Sequence, residues 1–108
     1  MRPLLLFIAG PYAGDISANI ARARDVALEI WRAGHYALCP HSNTAHLEGL
    51  GVPEETFKAG DLRMLSHCDG VVLIEGWEQS EGAVAEFGRA KQIGLPCWVW
   101  PDGPRGAE

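Results

Sequence analysis

Two uninterrupted apolar runs, Leu4 to Ala9 and Val71-Val72-Leu73-Ile74, constrain this chain more than any other feature. A strand with one face in water alternates apolar and polar side chains, whereas a strand without alternation has to be covered on both faces. Helical patterns follow each run. Gly10-Pro11-Tyr12-Ala13-Gly14 breaks the first strand, and Asp15 or Ser17 can then cap a helix. Ile20, Ala23, Ala27, Ile30 and Trp31 keep helical spacing up to Gly34, which stands where a C-terminal glycine cap belongs. A second strand, His35 to Cys39, stops at Pro40. From His41 to Val52, with Gly49 and Gly51, the chain reads as a loop, and loops of this length in compact domains are usually functional or mobile. Pro53, Glu54 and Glu55 mark a helix start, because proline fits a first turn and acids favour its dipole; that helix runs to about Ser66. A strand from Gly70 to Ile74, a helix from Ser80 to Ile93 and a last strand from Pro96 to Trp100 complete the pattern.

Strands alternating with crossover helices give an α/β fold, because right-handed crossovers put helices on both faces of a parallel sheet. The expectation is a three-layer sandwich, Rossmann-like or flavodoxin-like, with a parallel sheet of four to five strands. Residues 1–100 form its single domain, and residues 101–108, with two prolines and two glycines, form a flexible tail. In such sheets ligands bind at the carboxyl ends of the strands, near the point where the strand order reverses. That edge gathers Gly10 to Asp15, Pro40 to His46 and Glu75 to Ser80.

Composition removes several classes of function. Lys and Arg number 9 against 14 Asp and Glu, a formal charge of -5, and no basic stripe exists to neutralise a run of phosphates, so a nucleic-acid polymer is not the partner. Three scattered cysteines, Cys39, Cys68 and Cys97, fit a reducing compartment better than a disulfide framework, which points to the cytoplasm. Met1 to Ala9 resembles a short signal core, but Gly10-Pro11 ends it early and no clean cleavage site follows. No segment has the length of a membrane span. Cys39-Pro40-His41 with His46 lacks paired metal-ligand spacing, so no metal is expected, and Gly10 to Gly14 is neither a P-loop nor a dinucleotide fingerprint, so no cofactor is implied.

Two carboxylates are out of place. On the last helix the stripe facing the sheet is Ala83, Phe87, Ala90 and Ile93, and Glu86 lies on that face, leaning back toward Gly82, where no side chain fills the space. On the preceding helix Asp61 sits at the centre of the stripe Phe57, Leu65 and Cys68. A buried charge is tolerated mainly where it is paired or used. Arg63 and Arg89 are the candidate partners if these acids are only structural. If they face one cleft, they form the carboxylate pair that glycosidic cleavage requires, one as nucleophile or charge stabiliser and the other as acid or proton carrier.

Ile8-Ala9-Gly10-Pro11-Tyr12, Asp61-Leu62 with Cys68-Asp69-Gly70-Val71-Val72, and Ser80-Glu81-Gly82-Ala83 followed by Glu86-Phe87-Gly88-Arg89-Ala90 resemble the nucleoside 2-deoxyribosyltransferase-like superfamily over nearly the whole chain. The resemblance implies that Glu86 is the nucleophile attacking C1′ of deoxyribose and that Asp61 assists at the sugar or base. It further implies that Ser80, where transferases acting on free nucleosides typically carry aspartate, marks the 2′-deoxynucleoside 5′-monophosphate N-hydrolases. A serine hydroxyl at a helix N-terminus suits a dianionic phosphate, although serine is also an ordinary N-cap. The family tyrosine of the first strand is replaced by Phe7, with Tyr12 a few residues later as its candidate substitute, and larger relatives continue to a fifth strand. Gly10, Pro11, Gly82, His41 and Trp77 are the further residues expected to touch substrate; Trp77 either stacks on a base or covers its loop. A homodimer or higher homo-oligomer is implied by the resemblance, and Trp98 and Trp100 near the chain end suggest a surface needing cover. The leading expectation is an N-glycosidase of deoxynucleoside monophosphates; a nucleoside deoxyribosyltransferase and a nonenzymatic nucleotide-binding module on the same fold are the alternatives.

Overall fold

In the computed structural model, which describes residues 2–106, the elements run β1 (Leu5–Ala9), α1 (Ile16–Arg32), β2 (Tyr36–Leu38), α2 (Pro40–Thr44), α3 (Glu54–Leu65), β3 (Gly70–Leu73), α4 (Glu81–Gln92) and β4 (Cys97–Val99). All three strand pairings are parallel and the order is β2-β1-β3-β4. This is the α/β sandwich anticipated from the two apolar runs, with four strands.

Alternation within each run sorts the core into two layers. Phe7, Ala9, Val71 and Leu73 face α3 and α4, where Leu65, Cys68, Ala83 and Ala90 complete one cluster. Leu6, Ile8, Val72 and Ile74 face α1, where Ala23, Val26 and Ile30 complete the other. Trp98 and Trp100 are partly buried and pack against this second cluster of their own chain.

The helix boundaries follow local chemistry. The side chain of Asp15 accepts from the Ala18 N–H at 3.1 Å and opens α1, and Gly34, at φ +87°, takes the left-handed turn that closes it. The stripe of α1 differs from the expected one: Asn19 and Val26 are buried, whereas Trp31 is 54% exposed and stacks on the exposed Tyr36. Asn19 goes inside because its amide donates to the carbonyls of Tyr12 and Ala13, at 3.1 and 2.9 Å, and so ties down the loop after β1. The segment expected to be loop from His41 to Val52 instead begins with α2 and a single tighter turn, Ala45–Leu47. Pro40 ends β2, but a proline at the first helical position also starts a helix. Pro53 is the N-cap of α3 rather than part of its first turn. On α4, Ile93 falls at the C-cap and is 40% exposed, outside the stripe assigned to it.

Of the residues expected to form a tail, 107 and 108 lie outside the described residues. Before them, the Asp102 N–H donates to the Val99 carbonyl at 2.9 Å, and the Arg105 carbonyl accepts from Nε2 of the buried His35, whose Nδ1 accepts from the Leu4 N–H at 2.9 Å.

Candidate active site

Chain direction diverges between β1 and β3: β1 leads through α1 to β2 on one side, and β3 leads through α4 to β4 on the other. The crevice outside their carboxyl ends is where this topology places ligands. There a cleft of about 720 Å³ is lined by Gly10, Pro11 and Tyr12 after β1, His41 from α2, Asp61 from α3, and Ser80, Gly82 and Glu86 from the start of α4. Gly10 has to be glycine, because a Cβ there would stand 2.2 Å from Cγ1 of Ile74 at the end of β3. Gly82 leaves space instead: a Cβ there would meet only the Ser80 hydroxyl, at 4.0 Å. The cleft therefore stays open above the turn over which Glu86 leans.

Neither acid is paired with an arginine. Arg63 donates to His67 at 3.4 Å and Arg89 to Gln92 at 3.3 Å, and Oδ1 of Asp61 is buried without a hydrogen-bond partner. Burial pushes the Glu86 carboxyl up to about 8, with the Asp61 charge adding to the rise and His41 opposing it. Burial also raises Asp61, again opposed by His41. Two neighbouring carboxyls of this kind titrate as a pair, and the pair holds a proton to higher pH than two isolated carboxyls would.

His41 is buried, and its Nε2 donates to the Pro11 carbonyl at 2.8 Å. Burial works against the charged ring, but interaction with Cys39, the Pro11 carbonyl and the Glu86 charge together outweigh it and raise His41. Burial would raise Cys39, yet His41 and the N–H and hydroxyl of Ser42 hold its thiol below the usual range. Ser80 caps α4, its hydroxyl accepting from the Ala83 N–H at 3.2 Å. The hydroxyl proton is left to donate elsewhere.

Eight of the nine residues singled out in the sequence line this cleft, Glu86 and Asp61 among them; Trp77 is the one outside it, and Tyr12 lines it in a different setting from the one expected. Tyr12 lines the cleft, but its hydroxyl donates to Glu48 at 2.8 Å rather than reaching toward the carboxylate pair. Trp77 lies outside the cleft and packs on Phe87, ring centroids 5.0 Å apart, which is the loop-covering role. His46 does not line the cleft either, and among the described residues no group of three His, Cys, Asp or Glu side chains is arranged to hold a metal ion. Sequence reasoning missed Glu48, Glu54, Lys58 and Glu81, which line the rim. Their polarity and helical or loop positions carry no signal that distinguishes them from ordinary surface residues. No helix among the described residues is long and apolar enough to cross a membrane.

A parallel four-stranded α/β sandwich with a two-carboxylate cleft at its switch point is thus the class of molecule. A family described as a domain of unknown function (DUF4406) matches residues 4–99, and the chain belongs to it. No curated protein sequence matches it. Among solved structures it is similar to a 2-deoxyribosyltransferase from the psychrotolerant bacterium Bacillus psychrosaccharolyticus, with a TM-score of 0.71 and 17% identity, over 88% of this chain and 70% of that one. It is also similar to a 2-desoxiribosyltransferase from Leishmania mexicana, with a TM-score of 0.68 and 18% identity, over 90% of this chain and 63% of that one. At such identities the likeness is one of fold, and the fold is that of the 2-deoxyribosyltransferases.

Proposed function

We propose that this chain breaks the N-glycosidic bond of a 2′-deoxynucleoside 5′-monophosphate, with Glu86 as nucleophile. The observation that carries the reading is the pair of arginine-free carboxyls, Glu86 and Asp61, on the wall of one cleft with their affinities for protons raised. Ionised Glu86 attacks C1′, the bond to the base breaks with its electron pair leaving on the base nitrogen, and a proton reaches that nitrogen from Asp61 or water. Water then displaces Glu86 from C1′, with Asp61 taking the water proton, so that two inversions amount to retention. His41, Gly10 and Pro11 border the same space and serve to orient the substrate; Tyr12 acts from the rim through its bond to Glu48. No step calls for a cofactor or metal.

The monophosphate part of the reading rests on Ser80 and on the first N–H groups of α4, which have no acceptor within their own helix and open onto the cleft beside Gly82. One observation favours a second reading. Glu48, Glu54, Asp61, Glu81 and Glu86 line the cleft against a single lysine, Lys58, which lies 3.6 Å from Glu54. An acidic rim resists a dianion and suits an uncharged deoxynucleoside, whose deoxyribosyl group would pass to an acceptor base. Release of free base from a panel of deoxynucleosides and their monophosphates, with and without an acceptor base, separates the two. Binding without cleavage of any of them would leave only a nucleotide-binding module. A homodimer belongs to the same proposal, and sedimentation equilibrium at micromolar protein tests it.

A further inference from the structure

We infer that Asn19 is a positioning residue that turns the backbone N–H groups of Ala13 and Gly14 toward the cleft, where they hold an acceptor atom of the base that leaves. The inference rests on the N-glycosidic cleavage proposed above. Asn19 is only 8% exposed, a polar side chain on the buried face of α1. Both hydrogens of its Nδ2 go to the loop after β1, to the Tyr12 carbonyl at 3.1 Å and the Ala13 carbonyl at 2.9 Å. An Arg22 nitrogen, 3.5 Å from Oδ1, fits the same orientation of the amide. In a trans planar peptide the C=O of one residue and the N–H of the next point in opposite directions. Two successive carbonyls drawn toward α1 therefore turn the N–H groups of Ala13 and Gly14 away from it. The cleft lies on that side, since Tyr12 and Ala13 belong to its lining. Neither N–H donates to an acceptor among the described residues. Gly14, at φ +95° with open space where a Cβ would stand, takes the left-handed turn in which successive N–H groups can converge on one acceptor.

The chemistry of the surroundings selects what these donors hold. Asp15 follows them in the chain, and Glu48 accepts from the Tyr12 hydroxyl beside them, so negative charge is already present. That setting suits a neutral carbonyl oxygen or ring nitrogen better than a dianionic phosphate, which the proposal above assigns to Ser80 and the start of α4. As the bond from C1′ to the base breaks, its electron pair goes to the base, and the negative charge spreads over the base's carbonyl oxygens and ring nitrogens until a proton arrives from Asp61 or water. Fixed N–H groups aimed at such an atom bind more strongly as that charge develops, and so favour the transition state over bound substrate. Because the donors are backbone, their aim depends on what holds the loop. Asn19 does so from behind, without touching the substrate.

Amide NMR spectra of the protein titrated with free bases and, separately, with deoxyribose 5-phosphate test this without any turnover. A base should move the Ala13 and Gly14 signals, and the sugar phosphate should leave them in place. Signals that ignore every base, or that answer to the sugar phosphate alone, would overturn the inference. Asn19→Leu, similar in volume, should abolish the movement and lower kcat about ten- to a hundredfold with KM little changed, a split that a merely structural role would not produce. If that variant does not fold, the wild-type spectra decide. Base-dependent movement in a protein that releases no base from any deoxynucleoside or monophosphate would defeat the proposed function and leave the donor site standing. Base release with both signals unmoved would do the reverse.

Discussion

Replacing Glu86 with glutamine should alter the pH dependence of stability far more than it alters the fold. Glutamine keeps the length and shape of the side chain and removes its ability to ionise. Burial, assisted by the Asp61 charge, lifts the Glu86 carboxyl from 4.5 to about 8. The fold therefore favours the protonated form, whose contribution is complete below the unfolded midpoint of 4.5 and is lost as pH rises through about 8. At about 1.4 kcal/mol per unit the whole shift amounts to about 5 kcal/mol. Glu86 is half-buried at the wall of an open cleft, where water screens the charge, so about 2–3 kcal/mol is the difference to look for. Urea denaturation followed by tryptophan fluorescence, for wild type and Glu86→Gln from about pH 4 to about pH 9, measures it. The variant should match wild type at the acid end and exceed it at the alkaline end, with the denaturant slope unchanged. Parallel curves at every pH would refute the claim that the fold holds Glu86 as a buried neutral acid.

Three other substitutions probe separate parts of the site. Asp61→Asn, if it removes only proton transfer, should slow base release about a hundred- to ten-thousandfold by chromatographic assay, and a near-normal rate would take Asp61 out of the chemistry. Ser80→Ala removes the cap bonded to Ala83 at 3.2 Å and should cost about 1 kcal/mol in urea. It should also weaken monophosphate binding, and Ser80→Asp should weaken it more through like charge; equal wild-type activity on nucleosides and monophosphates would contradict the phosphate reading. Gly10→Ala puts a methyl group 2.2 Å from Cγ1 of Ile74 and should destabilise by about 1–3 kcal/mol, so a variant of native stability would mean that the end of β1 is looser than described.

How much of this was legible in the sequence follows from which residues carry their signal in their own chemistry. β1 and β3 were readable because a run such as Leu6-Phe7-Ile8-Ala9 has one stable setting, a strand covered on both faces. Glu86 and Asp61 were readable because a carboxylate at helical spacing among apolar residues contradicts its surroundings. Asn19 was not, since its burial depends on the carbonyls of Tyr12 and Ala13, which only the folded turn presents to it. Pro40 and Pro53 each support two local readings, strand end or helix start, cap or first turn, and the sequence alone does not choose between them. The partner of Tyr12 was hidden for a related reason. Glu48 stands 36 positions away in a segment without periodicity, and nothing in its identity points to a phenol. Trp77 shows the opposite failure: an aromatic beside a ligand edge suggests stacking on a base, but Phe87 on the next helix supplies the ring it packs against.

The central claim is that Glu86 bonds covalently to the sugar, and rapid acid quenching during turnover followed by peptide mass spectrometry tests it most directly. With a cleavable deoxynucleoside or its monophosphate, the peptide containing Glu86 should carry the added mass of the deoxyribosyl group or its phosphate, and the Glu86→Gln protein should show neither adduct nor base release. Base release by Glu86→Gln at close to the wild-type rate, with no adduct on the wild-type peptide, would contradict the account.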